Sequence, residues 1–432
     1  MSLSPTNRQI LRLAIPSIIA NISVPLLGLI DLCIVGHLGA ASYIGAIAVG
    51  GMLFNMIYWL FGFLRMGTGG LTAQACGAKD WAEATRTLLR ALCIGSALAL
   101  ALIVLQSPIL HAAFGLIDAS PEVQRLAATY FRICIWGAPA VLGLYAFNGW
   151  FIGMQRSHYT MFVSIAQNIV NILASLGLVF GCGMKVEGVA LGTLVAQYAG
   201  LLMAFGFGLF RFPSLRIHIR RDKLFDAEAM NRFFVVNRDI FLRTLCLIAV
   251  TVFFTSTGAA QGDVILAVNA LLMQLFTLYS YIMDGFAYAG EALTGKYVGA
   301  KDGKSLRITI RQLFVWGFGL SACFTLVYGV GGKSFLQLLT NDSAVISASA
   351  EYTYWALAIP LAGCAAFLFD GICIGFIATG IMLKSMLAAS ACFFLTYYSL
   401  NGSLHNHALW LGFIVYLSLR GIMQAWWMRK WL

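Results

Sequence analysis

An aspartate within a membrane-length apolar stretch is the residue of this sequence best suited to chemistry. Asp31 directly follows residues 13–30, which carry no formal charge, and about 20 apolar residues in a helix are enough to cross a bilayer. A carboxylate inside such a helix costs roughly 2.5–3.5 kcal/mol on the insertion scale, so it usually faces a bundle interior or a watery cavity. The position indicates a functional carboxylate.

Polar residues at helical spacing occur in two later apolar segments. Asn168, Asn171 and Ser175 are spaced i, i+3 and i+7, and Thr193 lies in the next segment. Residues at these spacings lie on one side of a helix. Hydrogen bonds between helices, worth on average ~0.6 kcal/mol per pair, are the more ordinary explanation for the Asn and Thr positions alone. Around Asp31, the same oxygen atoms would suit a proton or a sodium ion.

Two prolines lie in the first apolar segment. Pro16 and Pro25 each remove a backbone donor and clash with the preceding turn, so the helix can bend at these positions. A hinge close to an ionisable group predicts a helix that moves when Asp31 changes its charge.

The composition predicts an all-α polytopic membrane protein. Of 432 residues, 60% are hydrophobic and 10% are charged, whereas ordinary soluble domains have about 25% charged residues. Twelve transmembrane helices are predicted. Their approximate ranges are 13–36, 44–64, 88–111, 128–151, 159–181, 188–210, 240–259, 264–287, 312–332, 352–376, 379–400 and 408–428.

The two halves of the chain repeat each other. LTAQACGAKD at 71–80 recurs as LTGKYVGAKD at 293–302, and FNGWFIG at 147–153 recurs as FDGICIG at 369–375, both 222 positions later. Asn148 therefore corresponds to Asp370. The sequence predicts two six-helix lobes related by an internal repeat, an arrangement found in secondary transporters whose halves rock about a central site. The predicted lobes are 1–210 and 240–432, and the polar stretch 211–239 is predicted to be a cytoplasmic linker between them.

The basic residues predict the orientation. If the amino terminus is cytoplasmic, all of the 28 Lys and Arg residues except Arg125, Arg132, Lys185 and Lys333 lie on the cytoplasmic side. This bias predicts a multi-pass protein of the inner (plasma) membrane with both termini in the cytoplasm. Anionic membrane lipids are the expected counter-charge. The basic residues are spread over several loops without aromatic interleaving, which excludes a nucleic-acid partner.

Several motifs keep one order and spacing along the chain. They are LIDLCIVGHLG, GLTAQACGAKD, NGWFIGMQRS, QNIVNILASLGLV and VEGVALGTLVAQY in the first half, and NRDIFLR and LFDGICIG in the second. Together they resemble the multidrug and toxic compound extrusion (MATE) family, and within it the DinF-like branch. The resemblance covers nearly the whole chain. It implies a central cavity, alternating access, and export of cationic or amphipathic organic compounds against protons or sodium ions.

The resemblance also implies a set of site residues. The amino-lobe site of the family corresponds to Asp31, Tyr130, Asn148, Asn171 and Thr193. The family pattern has a second carboxylate one turn after Asn171, where this chain has Ser175. The NorM-like branch uses acids in the carboxy lobe, and Asp370 fits such a position. Asp370 fits equally well as a helix cap or as an ion-pair partner of Arg243 or Arg420 between spans.

The predicted function is a secondary antiporter that exports cationic or amphipathic organic compounds in exchange for protons. Ser175 leaves one negative charge to offset the desolvation of a sodium ion, so a proton is favoured over sodium bound by Asp31, Asn171 and Thr193. No other metal, no cofactor and a monomeric state are expected. The ten cysteines are scattered singly and are interpreted as apolar filler.

Three other functions fit the sequence less well. A flippase for lipid-linked oligosaccharides should have a strongly basic cavity, and the predicted spans carry few arginines. An intramembrane enzyme is the least favoured, because no H-E-x-x-H helix, acid pair or histidine beside a nucleophile occurs within a span. A channel is disfavoured by the absence of a repeated charged ring.

Overall fold

The computed structural model describes residues 4–37, 40–117, 120–213, 224–340 and 342–431. Within these ranges every regular element is helical. The first half contains α1 (Pro5–Gly36), α2 (Ala41–Leu60), α3 (Phe63–Gly77), α4 (Trp81–Val104), α5 (Gln106–Leu116), α6 (Pro121–Cys134), α7 (Ala138–Gly153), α8 (Ser157–Leu176) and α9 (Val186–Arg211). The second half contains α10 (Ala227–Ala260), α11 (Asp263–Gly299), α12 (Gly303–Leu339), α13 (Ser343–Phe376), α14 (Thr379–Leu404) and α15 (Asn406–Met428).

Twelve helical segments of the described chain are long and apolar enough to cross a membrane. In the first half, α2 with α3 and α6 with α7 each make up one segment, whereas the second-half segments are single helices. The predicted all-α fold with twelve spans is confirmed. Several helices are longer than their predicted spans; α11, for example, continues to Gly299 although its apolar stretch was predicted to end at 287.

The chain forms two compact units. The first unit is Ile15–Phe234, and the second is Met1–Ala14 with Val235–Leu432. Each unit has its own apolar core, with Trp150 fully buried in the first and Trp410 in the second. Of the predicted linker 211–239, residues 214–223 lie outside the described residues, and α10 begins at Ala227. The predicted lobe boundaries at 210 and 240 stay a prediction.

The sequence repeat is also a repeat of backbone conformation. Lys79 and Lys301 both have left-handed backbone, with φ of 59° and 56°, a conformation that few non-glycine residues adopt. The aspartates that follow them, Asp80 and Asp302, accept hydrogen bonds of 2.9 and 3.0 Å from the backbone N–H three residues further on. Each thus caps the amino terminus of the next helix, α4 or α12.

Helix packing repeats at the same interval. A Cβ atom at Gly149 of α7 would overlap the backbone carbonyl of Arg65 on α3, and one at Gly371 of α13 would overlap that of Ala287 on α11. Each glycine therefore lets two backbones approach closely, as small residues do in membrane helix pairs. The second contact lies 222 positions after the first, the same interval as in the sequence repeat, which supports a duplicated six-helix unit.

Candidate functional site

Asp31 lies near the carboxyl-terminal end of α1 and is almost entirely buried, with 3% of its surface exposed. Thr193 on α9 donates a hydrogen bond from Oγ1 to Asp31 Oδ2 over 3.4 Å. Asn171 on α8 donates from Nδ2 to Thr193 Oγ1 over 3.1 Å. Three of the predicted site residues are thus connected by hydrogen bonds within the first unit.

Several oxygen atoms of this cluster have no hydrogen-bond partner among the described residues. They are Asp31 Oδ1, Asn171 Oδ1 and Ser175 Oγ. Buried polar atoms are nearly always hydrogen-bonded, because leaving one unpaired costs about 1–3 kcal/mol. All three atoms can accept a hydrogen bond, and the Ser175 hydroxyl can also donate one. A proton would satisfy Asp31 Oδ1, and a water molecule or a hard cation would suit any of the three oxygen atoms. The cluster therefore has the chemistry of a proton or cation site.

Asn168 places α8 against α1. Its Nδ2 donates to the Ser23 carbonyl over 2.8 Å. As the first and fifth spans, α1 and α8 run in the same direction. The eight residues from Ser23 to Asp31 and the seven from Asn168 to Ser175 correspond to rises of about 12 and 10.5 Å. These rises place Ser175 near the level of Asp31, at the position where the family resemblance implies a second carboxylate.

Tyr130 and Asn148 differ in their relation to this cluster. Tyr130 on α6 is buried, and its side chain interacts with Asp31 and Thr193. Asn148 on α7 is half-buried, and its Oδ1 has no partner in the described part of the chain. The hydrogen bonds found within the described ranges do not connect Asn148 to Asp31. Tyr130 therefore belongs to the Asp31 cluster, and the role of Asn148 stays a prediction.

The two predicted hinge residues lie inside one continuous helix. Pro16 and Pro25 are both within α1, which is unbroken from Pro5 to Gly36. Next to the second proline, the Ser23 hydroxyl donates to the Ala20 carbonyl over 2.7 Å. A hydroxyl bonded to the preceding turn in this way often accompanies bending of a helix. The hinge stays a prediction for both prolines.

Asp370 is engaged in ion pairs. Its Oδ2 accepts hydrogen bonds from Arg243 and from Arg420, the latter over 2.8 Å, and its Oδ1 accepts one from Gln424 over 2.8 Å. The sequence left open whether this residue is a coupling acid or an ion-pair partner, and the structure shows pairing with both arginines. Gln424 was not among the predicted residues. Its i+4 spacing from Arg420, which puts both on one helical face, was the available signal.

Comparisons with known proteins agree with this architecture. The MatE family model matches residues 16–176 and 240–401. The chain is 37% identical to DNA damage-inducible protein F of Escherichia coli K12 over 436 residues, covering 99% of this chain and 94% of that protein. It is 21% identical to the multidrug export protein MepA of Staphylococcus aureus NCTC 8325, covering 88% of this chain and 82% of that protein.

Solved structures of similar fold cover nearly the whole chain. A eukaryotic MATE transporter superposes with a TM-score of 0.86 at 17% identity, covering 98% of this chain and 95% of the other. A MATE structure described as the bent conformation gives a TM-score of 0.85 at 20% identity, with the same coverage. At these identities the superpositions concern the fold.

Proposed function

Because this chain belongs to the MATE family of membrane transporters, we propose that it is an antiporter that exports small organic compounds in exchange for protons. The observation that carries the proposal is the burial of Asp31 together with its incomplete hydrogen bonding. This carboxylate is buried in the first unit, with one oxygen bound by Thr193 and the other without a partner among the described residues. An ionisable group buried within membrane-spanning helices is by default a candidate functional site.

The charge of the cluster favours a proton over sodium. To bind sodium, the site would have to replace the water shell of the ion with oxygen atoms of its own side chains. These are one carboxylate, Asp31, and three neutral side chains, Asn171, Ser175 and Thr193. A single negative charge offsets little of the cost of dehydrating a cation in a poorly hydrated site. A proton needs only the free oxygen of Asp31, and its binding leaves a neutral group that suits the apolar surroundings.

The proposed cycle connects this protonation to α1. When Asp31 loses its charge, its interaction with Thr193 changes, and α1 can bend at Pro16 or Pro25. A local charge change acting on a helix with two stable arrangements is a common switch. Bending then changes the side of the membrane from which the substrate is accessible, so that proton entry drives substrate release. Asn148 and Tyr130 are proposed to contact the substrate or the coupling ion.

The proposed substrates are cationic or amphipathic organic compounds. The name of the Staphylococcus aureus relative, a multidrug export protein, supports this class, and aromatic side chains attract flat cations through their ring faces. We place the protein in the plasma membrane as a monomer, with both termini in the cytoplasm and basic loops against anionic lipids.

Reconstituted vesicles test the proposal. Full-length protein is inserted into liposomes preloaded with ethidium, and either a pH gradient or a sodium gradient is imposed as the sole driving force. We expect the pH gradient alone to drive ethidium movement, and Asp31→Asn to abolish it in folded protein. Asp263→Asn, which neutralises an exposed acid at the start of α11, is the matched control and should keep full activity. Sodium-driven movement without a pH gradient, or full activity of Asp31→Asn, would contradict the proton assignment.

A further inference from the structure

A histidine of the second unit contacts a neighbouring helix through both of its ring nitrogens. His407 lies at the start of α15, and its Nδ1 accepts a hydrogen bond from Trp355 Nε1 on α13 over 3.1 Å. Its Nε2 lies 3.1 Å from Oε1 of Glu351, one turn before Trp355 on the same helix. The His407 side chain is 32% exposed, so protons from the solvent reach the ring.

These two contacts determine where the proton of the neutral ring lies. An indole N–H only donates, so Nδ1 of His407 is the nitrogen without a proton. The neutral ring then carries its proton on Nε2 and donates it to the Glu351 carboxylate. This tautomer follows from the hydrogen-bond partners, because a ring nitrogen cannot accept while it carries a proton. The hydrogen bond from Trp355 therefore requires a neutral imidazole.

Protonation of His407 changes the two contacts in opposite ways. A proton on Nδ1 turns this nitrogen into a donor, so two N–H groups face each other across 3.1 Å and the bond from Trp355 is lost. The imidazolium gains an ion pair with Glu351, whose side chain is 64% exposed, and such an exposed pair contributes little stability. The Tyr352 ring, whose centre lies 4.7 Å from that of His407, also attracts a cation. The charged ring therefore stays with Glu351 and gives up Trp355.

Glu351 is the charged group that faces His407. The other ionisable side chains described at this end of the unit are Asp263 on α11, Asp342, Tyr352 and Tyr354 on α13, Tyr397 and Tyr398 on α14, and His405 just before α15. Within the described ranges, no hydrogen bond or ion pair connects any of these to His407. Histidine ordinarily changes its charge between about pH 5 and 8, where carboxylates stay charged and tyrosines stay neutral. His407 is therefore the group of this contact that responds to pH.

The part of α13 that carries this contact ends at a proline. Pro360 lies inside α13, where it removes a backbone donor and favours a bend. Hydroxyl groups of two other helices bind the backbone around it. Thr325 of α12 donates to the Leu357 carbonyl over 3.1 Å, and Tyr279 of α11 donates to the Pro360 carbonyl over 2.7 Å. Movement of residues 343–359 would therefore pivot at Pro360.

We propose that His407 is a pH-sensitive switch between α13 and α15. The neutral ring holds Trp355 and the protonated ring releases it, so residues 343–359 are bound to α15 less tightly at low pH. Protonation of histidines changes packing contacts in this way in pH-sensing proteins. In the proposed orientation this end of the unit faces the outside of the cell, so the external pH sets the switch. The switch lies within the second unit and is independent of the proton coupling proposed for Asp31.

Two variants of His407 separate its two contacts. In His407→Asn the amide oxygen takes the place of Nδ1 and accepts from Trp355 at any pH. In His407→Gln the amide nitrogen takes the place of Nε2 and donates to Glu351, while the acceptor for Trp355 is removed. The first variant therefore corresponds to the neutral ring, and the second keeps only the contact of the protonated ring. His405→Gln, which removes the exposed histidine just before α15, is the matched control.

The hydrogen bond of Trp355 is followed by NMR of its indole N–H. Full-length protein in detergent carries isotope-labelled tryptophan, and the Trp355 signal is identified by its absence from Trp355→Phe. We expect this signal to move between about pH 8 and about pH 5 in the unmodified protein and in His405→Gln. It should stay at the high-pH position in His407→Asn and near the low-pH position in His407→Gln. A signal that does not move in the unmodified protein, or that moves equally in His407→Asn, would overturn the proposal.

Hydrogen–deuterium exchange measures the effect on α13. The unmodified protein and His407→Asn are compared at the same pH, so that intrinsic exchange rates cancel. At about pH 5, amides of residues 343–359 should exchange about twofold to tenfold faster in the unmodified protein, the effect of losing one hydrogen bond. At about pH 8 the two proteins should agree, and residues 361–376 should agree at both pH values. Equal exchange of residues 343–359 at low pH, or an equal difference on both sides of Pro360, would contradict the proposal.

Discussion

The hydroxyl of Thr193 lies 3.4 Å from Oδ2 of Asp31 and donates a hydrogen bond to it, while accepting one from Asn171 over 3.1 Å. The amide N–H of Asn171 occupies one of the two acceptor positions of the Thr193 hydroxyl and leaves its proton free to point to Asp31. Thr193 therefore favours the charged form of Asp31 by donation, and burial favours the neutral form. The hydroxyl is therefore the group through which α9 acts on Asp31, the carboxylate that we propose carries the coupling proton.

Substituting Thr193 tests this role. Thr193→Val keeps the shape of the side chain but removes the donor, and we expect ethidium transport driven by a pH gradient to fall about tenfold, the effect of losing one hydrogen bond to a charged group. Thr193→Ser keeps the hydroxyl and should retain most of the activity. Transport rates in reconstituted vesicles are the measurement. Equal activity of the valine and serine variants would mean that the hydroxyl plays no part in coupling.

Ser175 offers a test of ion selectivity. Ser175→Asp places a second carboxylate at the level of Asp31, so that a bound sodium ion would be offset by two negative charges instead of one. We expect this variant to show ethidium transport driven by a sodium gradient alone. Ser175→Asn, which is similar in size to Asp but neutral, should not. Transport that stays strictly dependent on the pH gradient in Ser175→Asp would show that the number of acids does not set the choice of ion.

The sequence predicted the candidate site best where its residues lie in the motifs that carry the family resemblance. Asp31, Asn171 and Thr193 were predicted, and hydrogen bonds now connect them. The pairing of Asp370 stayed open, because periodicity places a residue on a helix face but does not say which neighbouring helix it meets. The sequence did not predict the contact between Asn168 and the Ser23 carbonyl, for the same reason. Every residue has a backbone carbonyl, so the residue type does not show which carbonyl accepts the hydrogen bond.

Helix lengths show a similar limit. The predicted spans followed hydropathy, which falls where a helix leaves the membrane. The helices themselves extend beyond their apolar stretches. Helix α11 continues to Gly299, and α12 and α13 already begin at Gly303 and Ser343. Hydropathy therefore predicted the number of membrane segments correctly but placed many of their ends several residues too early or too late.

The prolines of α1 are predicted to be needed for movement. Pro16→Ala and Pro25→Ala restore a backbone donor and favour a straight helix, because proline in a helix interior is about 3 kcal/mol less favourable than alanine. We expect each variant to reach the membrane in normal amounts while its transport rate falls. Expression is measured by immunoblotting and transport by ethidium efflux from cells. Normal efflux in both single variants and in the double variant would mean that α1 need not bend.

Asn168 is predicted to hold α1 near the second proline. Asn168→Leu removes the donor to the Ser23 carbonyl but keeps a side chain of similar size, so transport should fall. Because the hydrogen bond and Pro25 act on the same part of α1, adding Asn168→Leu to Pro25→Ala should lower transport by less than the sum of the single effects. A double-mutant cycle on the transport rates measures this. Fully additive losses would place Asn168 outside the hinge.

The repeated glycine contacts predict matched losses of stability. Alanine at Gly149 or Gly371 would overlap the backbone carbonyl of Arg65 or Ala287, and a backbone carbonyl cannot move aside as a flexible side chain can. Overpacking of this kind costs about 1–3 kcal/mol or more, which exceeds the gain of up to about 1 kcal/mol from replacing glycine by alanine in a helix. Both variants should therefore unfold at lower temperature than the unmodified protein.

Gly319 supplies the control for this prediction. It lies within α12, and a Cβ atom there would meet no other atom within 4 Å. Gly319→Ala should therefore be neutral or slightly stabilising. Thermal unfolding of the purified proteins in one detergent, followed by size-exclusion chromatography, compares the three variants. Since the Gly149 and Gly371 contacts are equivalent in the two halves, their variants should lose similar amounts of stability. A midpoint for Gly149→Ala or Gly371→Ala as high as that of Gly319→Ala would show that the helices can separate at that contact without cost.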